Sequence, residues 1–264
     1  MPSVGEIRDL LEQKAPSCLK LDFDNVGLLV GDAQAPVERV LLALDITGAV
    51  IDEAVSLDAQ LIVSHHPLFF SLKSVTSETP AGAKVLALAR HGIAAICMHT
   101  NLDSAPGGVN DALLAALGAE NAGFLRQTGT LPDGTPAGIT RLGRLPEAVP
   151  LADFLQTVRT KTAGHGLRYH DAGRTVQQLA VCGGSGGGDL EDVIRFGCDT
   201  FVTADVKYDV FLRAKEAGVN LIDADHFCTE NVVIPVLWRW LRSARPKLGV
   251  ILSSVHGQTA QFYV

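Results

Sequence analysis

Three short apolar runs in the first half of the chain, VLLALD (40–45), LIVSHH (61–66) and AICMHTNLD (95–103), are matched in order by three in the second half. The second set is LAVCGG (179–184), TFVTAD (200–205) and LIDADHFCTE (221–230). Each is a short apolar stretch that ends in polar or turn-type residues, as a buried strand delivered to a loop does. Amphipathic patterns long enough for helices lie between them. Each half therefore reads strand, helix, strand, helix, strand, and the chain is expected to be a duplicated α/β unit of three-strand plan.

Helix signals agree with this frame. Ser3 and Glu6 form a capping-box pattern ahead of Ile7, Leu10 and Leu11, which predicts a first helix ending near Pro16. Thr47 can cap a helix that turns Val50, Ile51, Ala54 and Val55 inward. Thr79-Pro80 opens another helix, closed by Gly92. One more runs from about Val109 to Leu117 and stops at Gly118. Residues 120–150 are rich in Gly, Pro and Thr, with one strand-like run, GITRLGRLP, and read as a crossing between domains. Asp189 is expected to cap a helix closed by Gly197, and another ends at Gly218. A final helix over Val232–Leu241 takes Pro235 near its start, before strand-like ILSSV and QFYV. The expected division is a first α/β domain over 1–123, with 231–264 packing back on it, and a second over 124–230.

With 264 residues, 47% hydrophobic and 19% charged, the chain has globular composition. Its net charge of −7 argues against non-specific binding to nucleic acid or an anionic membrane, which needs a basic surface. No apolar run approaches the length of a membrane span, and MPSVGEIRDL lacks a signal-peptide pattern. The five cysteines form no C-x-x-C pair and several sit in apolar surroundings, as reduced core cysteines would, so the chain is expected to be cytoplasmic.

Ligands of open α/β sheets collect at the carboxyl ends of the strands. Asp45, His65, His66, His99, Asp103, Asp205, Asp225, His226 and Glu230 all follow apolar strands on that side. His65 and His66 are adjacent; His99 and Asp103, like His226 and Glu230, are four apart, so a helical turn would place each pair one turn from the other. Six imidazole and carboxylate donors from three strand ends suit zinc, manganese or iron, and a carboxylate can bridge two ions. The competing reading makes Asp103 a helix cap and Glu230 a carboxylate attracted to a helix N-terminus. GGSGGGD (183–189) has two readings as well, an anion-holding loop or a tightly packed turn, and it lacks the Lys-Ser/Thr of a Walker motif. His91, His165, His170 and His256 have no partner pattern.

In order, DNVGLLVG, ALDIT, SHHPLFF, HTNLD, GITRLGRLP, VCGGSGG, VTADVKYD and DADHFCTE resemble the YbgI-type, Nif-like family of dinuclear-metal proteins over nearly the whole chain. These are the type 2 homologues of GTP cyclohydrolase I. The resemblance implies a Nif-like fold of two interlocked, duplicated α/β domains, assembled as a toroidal homohexamer, a trimer of dimers, around metal-lined sites. It implies two divalent ions per chain, His66 and Asp103 on one, His65 and His226 on the other, and Glu230 bridging. His99 would stand close by as a supporting group or general acid/base, making His99 and Glu230 the catalytic candidates. The implied reaction is hydrolytic opening of the guanine imidazole ring of GTP with release of formate. Lys207, Lys73 or the 183–188 turn would then hold the triphosphate. The same residues suit a metal-dependent phosphoester hydrolase, and a non-enzymatic metal-binding hexameric scaffold is a reading of another class. Ala204 and Asp209 stand where the family more often has Gly and His, and longer members carry an extra domain between the halves.

Overall fold

The structure, a computed structural model, describes residues 1–263. Two compact units share the chain. The first comprises Met1–Ala105, Leu131–Asp133 and Ile234–Gly257; the second comprises Pro106–Thr130, Gly134–Val233 and Gln258–Val264.

In the first unit the order is α1 (Val4–Glu12), β1 (Gly27–Val30), β2 (Arg39–Ala43), α2 (Gly48–Ser56), β3 (Leu61–Ser64), α3 (Pro80–Arg90), β4 (Ala94–Cys97) and α4 (Thr100–Ser104). The C-terminal helix Ile234–Ala244 and strand Gly249–Leu252 complete it. The five-stranded sheet runs β1-β4-β3-β2 and then the C-terminal strand. β2, β3 and β4 pair parallel, and β1 lies antiparallel on β4. Buried on both faces, β3 and β4 are wholly apolar but for Ser64, as parallel strands under helices must be. The Ser3–Glu6 capping box forms, but α1 ends at Glu12, short of Pro16, and a 3₁₀ turn over Ser17–Leu19 follows. Thr47 and Thr79 both cap as their sequence context indicates.

The second unit continues with α5 (Val109–Ala116), β5 (Glu120–Phe124), β6 (Gly129–Thr130), β7 (Pro136–Ala137), β8 (Arg141–Val149), α6 (Leu151–Lys161), β9 (Arg168–His170) and β10 (Val176–Val181). It ends with α7 (Leu190–Arg195), β11 (Thr200–Thr203), α8 (Tyr208–Ala217), β12 (Asn220–Asp223) and α9 (His226–Glu230). Its six-stranded sheet runs β5-β8-β10-β11-β12-β9. The central β10-β11-β12 pairing is parallel, like that of β2, β3 and β4, and β8 and β9 flank it antiparallel. The duplicated three-strand plan is therefore present in both sheets.

Several expectations need correction. The stretch 120–150 is not a crossing with one strand; it holds four, and β8 with β5 extends the second sheet. The first unit ends at Ala105 and not at 123, because Leu113, Leu114 and Leu117, on and just after α5, join the core of Phe154, Val158 and Leu179. The chain re-enters the first unit at Ile234. Asp189 holds the N-cap position of α7 but makes no side-chain cap bond; its carboxylate bonds Thr140 and faces Arg126 at 3.6 Å. Residues 261–263 form no strand, and Val264 lies outside the described residues. Among the described residues no helix is long and apolar enough to cross a membrane. Burial raises the thiols of Cys97, Cys198 and Cys228, the last two to about 11 and about 12, which keeps them protonated and inert.

Candidate metal centre

At the C-terminal ends of β3 and β4 the first unit gathers His65, His66 and His99. One potential ligand atom from each lies within 4.8 Å of the others. Ring centroids are 5.0 Å apart for His65–His66, 5.3 Å for His65–His99 and 5.7 Å for His66–His99. The turn after β4 is helical, as the spacing required, so α4 brings Asp103 back toward the strand ends. Its Oδ1 is 3.6 Å from His65 Nε2. Asp103 sits inside α4, whose N-cap position is held by His99.

Each of the three rings is oriented through Nδ1. His65, fully buried, places Nδ1 2.8 Å from the Met98 carbonyl. A carbonyl can only accept, so Nδ1 carries the proton and the neutral ring has its lone pair at Nε2. His66 Nδ1 meets Asp45 Oδ1 at 2.8 Å, and His99 Nδ1 meets Asp24 Oδ1 at 2.8 Å. A partner on the far nitrogen that fixes tautomer and orientation is the usual companion of a metal-binding histidine. Asp24 is buried; burial alone would raise its carboxyl, but hydrogen bonds from His99 and Thr100 hold it well below the usual carboxylate range.

The second unit repeats the device at the ends of β11 and β12. His226 Nδ1 lies 2.7 Å from Asp205 Oδ2, and one turn along α9 the buried Glu230 places Oε2 3.1 Å from His226 Nε2. Burial pulls the His226 imidazolium down, yet hydrogen bonds and charge from Glu230 and Asp205 carry it up to about 9. Asp225 caps α9, accepting from Cys228 N–H at 3.2 Å with its own backbone at φ 72°. Glu230 closes α9 and directly precedes the 3₁₀ turn Asn231–Val233, so it stands at a helix N-terminus as well as one turn from His226.

The donors fit a divalent ion. Imidazole nitrogens with their far side hydrogen-bonded, beside carboxylates, are the ligand set of zinc, manganese and non-haem iron sites. Sequence reading had placed Asp45 and Asp205 on the right side of the sheet without a task, and it passed over Asp24 and the Met98 carbonyl. The available signal was an aspartate directly after an apolar strand, in VLLALD and VTAD. His256 is a satisfied residue, its Nδ1 accepting from Leu44 N–H at 3.1 Å.

The glycine-rich turn resolves as packing. Gly183 N–H donates to Asn110 Oδ1, Gly184 N–H to Thr229 Oγ1 and Gly186 N–H to Thr203 Oγ1, at 2.7, 3.0 and 2.9 Å. Donors spent inside the fold do not present themselves to a phosphate.

Two parallel-centred α/β sheets that deliver oriented histidines and carboxylates from their strand ends define an α/β protein whose side chains could hold a metal ion. More narrowly, the chain belongs to the Duf34/NIF3 (NGG1p interacting factor 3) family, whose model matches residues 2–258. It is 34% identical to a Clostridium acetobutylicum protein over 94% of this chain and 92% of that one. It is 36% identical to one from Clostridium perfringens over 88% of each. Both carry the name GTP cyclohydrolase 1 type 2 homolog. The crystal structure of a Staphylococcus aureus hypothetical protein superposes with a TM-score of 0.90 at 27% identity, covering 100% of both chains.

Proposed function

We propose that the chain is a dinuclear metal-dependent hydrolase that opens the guanine imidazole ring of GTP. The observation that carries the metal assignment is the adjacent pair His65 and His66, each oriented through Nδ1, with Asp103 Oδ1 3.6 Å from His65 Nε2 and His99 beside them. The guanine substrate rests on the names of the relatives at 34% and 36% identity. The resemblance counts His66 and Asp103 as ligands of one ion, His65 and His226 of a second, with Glu230 bridging. Bound zinc, iron or manganese supplies Lewis acidity and a water that ionises near neutral pH.

The chain's own residues do the rest. Asp45 and the Met98 carbonyl hold the rings of His66 and His65 in the tautomer that presents Nε2. His99 is the proton carrier, its ring held by Asp24 Oδ1 2.8 Å from Nδ1, which leaves Nε2 to exchange the proton. Two waters and two C–N cleavages at C8 are needed, and His99 would return a proton each time, first to the nitrogen freed as the ring opens to a formamide and then to the nitrogen freed as formate leaves. The exposed Lys207 and Lys73 are the cations proposed for the triphosphate. We further propose a cytoplasmic homohexamer, which native mass spectrometry tests as a particle of six times the chain mass.

Formate release from GTP by metal-replete protein, with Glu230→Gln beside it, tests the reaction. Formate from the wild type and none from the variant supports it; metal-loaded wild type without formate refutes the substrate. The family description, an interacting factor, favours one second reading, a metal-binding scaffold. Cellular function retained by a metal-free variant would favour that reading.

A further inference from the structure

We propose that Gly184 is a positioning residue for Glu230: the missing side chain at this point of the glycine-rich turn sets where the Glu230 carboxylate stands. A Cβ built on Gly184 falls inside van der Waals contact of Glu230 Oε1 and 3.2 Å from both Glu230 Cδ and His226 Cε1. The turn cannot retreat to make room. Gly184 N–H is held by Thr229 Oγ1 at 3.0 Å, and its carbonyl accepts from Ala204 N–H at 2.9 Å and Thr203 Oγ1 at 3.0 Å. Gly183, the preceding residue, is tied to Asn110 at 2.7 Å, and a Cβ there would meet Val109 Cγ1 at 2.8 Å.

Helix α9 is equally fixed at this point. Thr229, beside Glu230, accepts from Gly184 N–H while its hydroxyl contacts the Asp225 and His226 carbonyls at 2.9 and 3.0 Å. With both backbones held, the group that must give way most is the end of the Glu230 side chain, while the His226 ring at 3.2 Å needs a smaller shift. A methyl group at 184 would therefore leave the fold in place and move the carboxylate. At Gly184 the run GGSGGGD thus serves the site by shape.

The inference rests on the metal-centre reading for its consequence, but its geometry can be tested separately. Gly218 is the control: it has φ 67° against 66° for Gly184, and nothing lies within 4 Å of a Cβ built on it. Gly184→Ala and Gly218→Ala carry the same left-handed backbone strain, so a loss shared by both reports strain alone. Metal affinity of the full chain is measured by chelator competition with zinc, for wild type, both alanine variants, Glu230→Asp and the double variant Gly184→Ala/Glu230→Asp.

Gly218→Ala is expected to bind zinc as wild type does, and Gly184→Ala about tenfold or more weaker. In the Glu230→Asp background, whose side chain is one methylene shorter, the Gly184→Ala penalty is expected to shrink to about threefold or less. Equal binding by Gly184→Ala and wild type, or an undiminished penalty in the double variant, overturns the proposal. If the wild type binds no zinc, the metal reading fails and the crystal structure of Gly184→Ala decides. A Glu230 carboxylate displaced by roughly 1 Å supports the positioning role, and an unmoved one refutes it.

Discussion

Removing the Asp45 carboxylate should weaken metal binding while leaving the fold intact. Asp45 holds His66 Nδ1 at 2.8 Å, and its side chain is 45% exposed against 22% for His66. So exposed a carboxylate contributes little to folding, on the order of 0–1 kcal/mol as an ion pair. Its effect on the metal is larger, because it sets the tautomer, rotation and basicity of the ring. Loss of such a partner costs about 10–100-fold in affinity, roughly 1.4–2.7 kcal/mol. Asp45→Ala should show that full loss. Asp45→Asn keeps an acceptor oxygen but not its charge, and a neutral hydrogen bond is about half as strong, so about 3–10-fold is expected. Competition against a fluorescent zinc chelator at pH 7.5 gives the affinities, and thermal melts of metal-depleted protein give the control. The reasoning is refuted if Asp45→Ala binds zinc like wild type while His66→Ala does not.

Asp24→Asn should lower the stability of metal-depleted protein by about 1–3 kcal/mol at pH 7, since His99 and Thr100 lose a charged acceptor. Because the folded carboxyl is held below its unfolded range, that gap is full above about pH 4 and shrinks as pH falls further; urea titrations at pH 7 and pH 3 check it. His226, raised to about 9, must surrender a proton to bind metal, so calorimetry in buffers of different ionisation enthalpy should show release of about one proton from it at pH 7.5 and none at pH 10. In metal-depleted protein the contacts of His226 with Glu230 and Asp205 stabilise fully below about pH 6.5, and that contribution is lost as pH rises through about 9, read as a falling Tm that is smaller in Glu230→Gln.

What could be read in the sequence was what lies close along the chain. The apolar run into His65 and His66, and the four-residue spacings of His99–Asp103 and His226–Glu230, each need only a strand and one helical turn to be placed, and β3, β4, α4 and α9 supply them. The partners that orient the rings were not legible as partners. Asp24 acts on His99 from 75 residues away, and Asp45 and Asp205 on their histidines from 21, distances over which no local period carries information. The Met98 carbonyl has no sequence signature at all.

β9 was missed for a related reason: RYH is three residues long, at a sheet edge and largely exposed, so neither alternation nor an apolar run marks it. The first unit's boundary was misplaced because an apolar helix face such as that of Leu113 and Leu114 does not declare which sheet it covers. GGSGGGD was open between two readings until its N–H partners were known.

The central claim is that these oriented histidines and carboxylates hold two divalent ions. Metal content per chain by native mass spectrometry, after loading with zinc or manganese and removal of excess, tests it most directly, with His65→Ala/His66→Ala alongside. Two ions on the wild type and a loss of both on the double variant is the predicted result. The same metal content on the two proteins, or none on the wild type, would contradict the account.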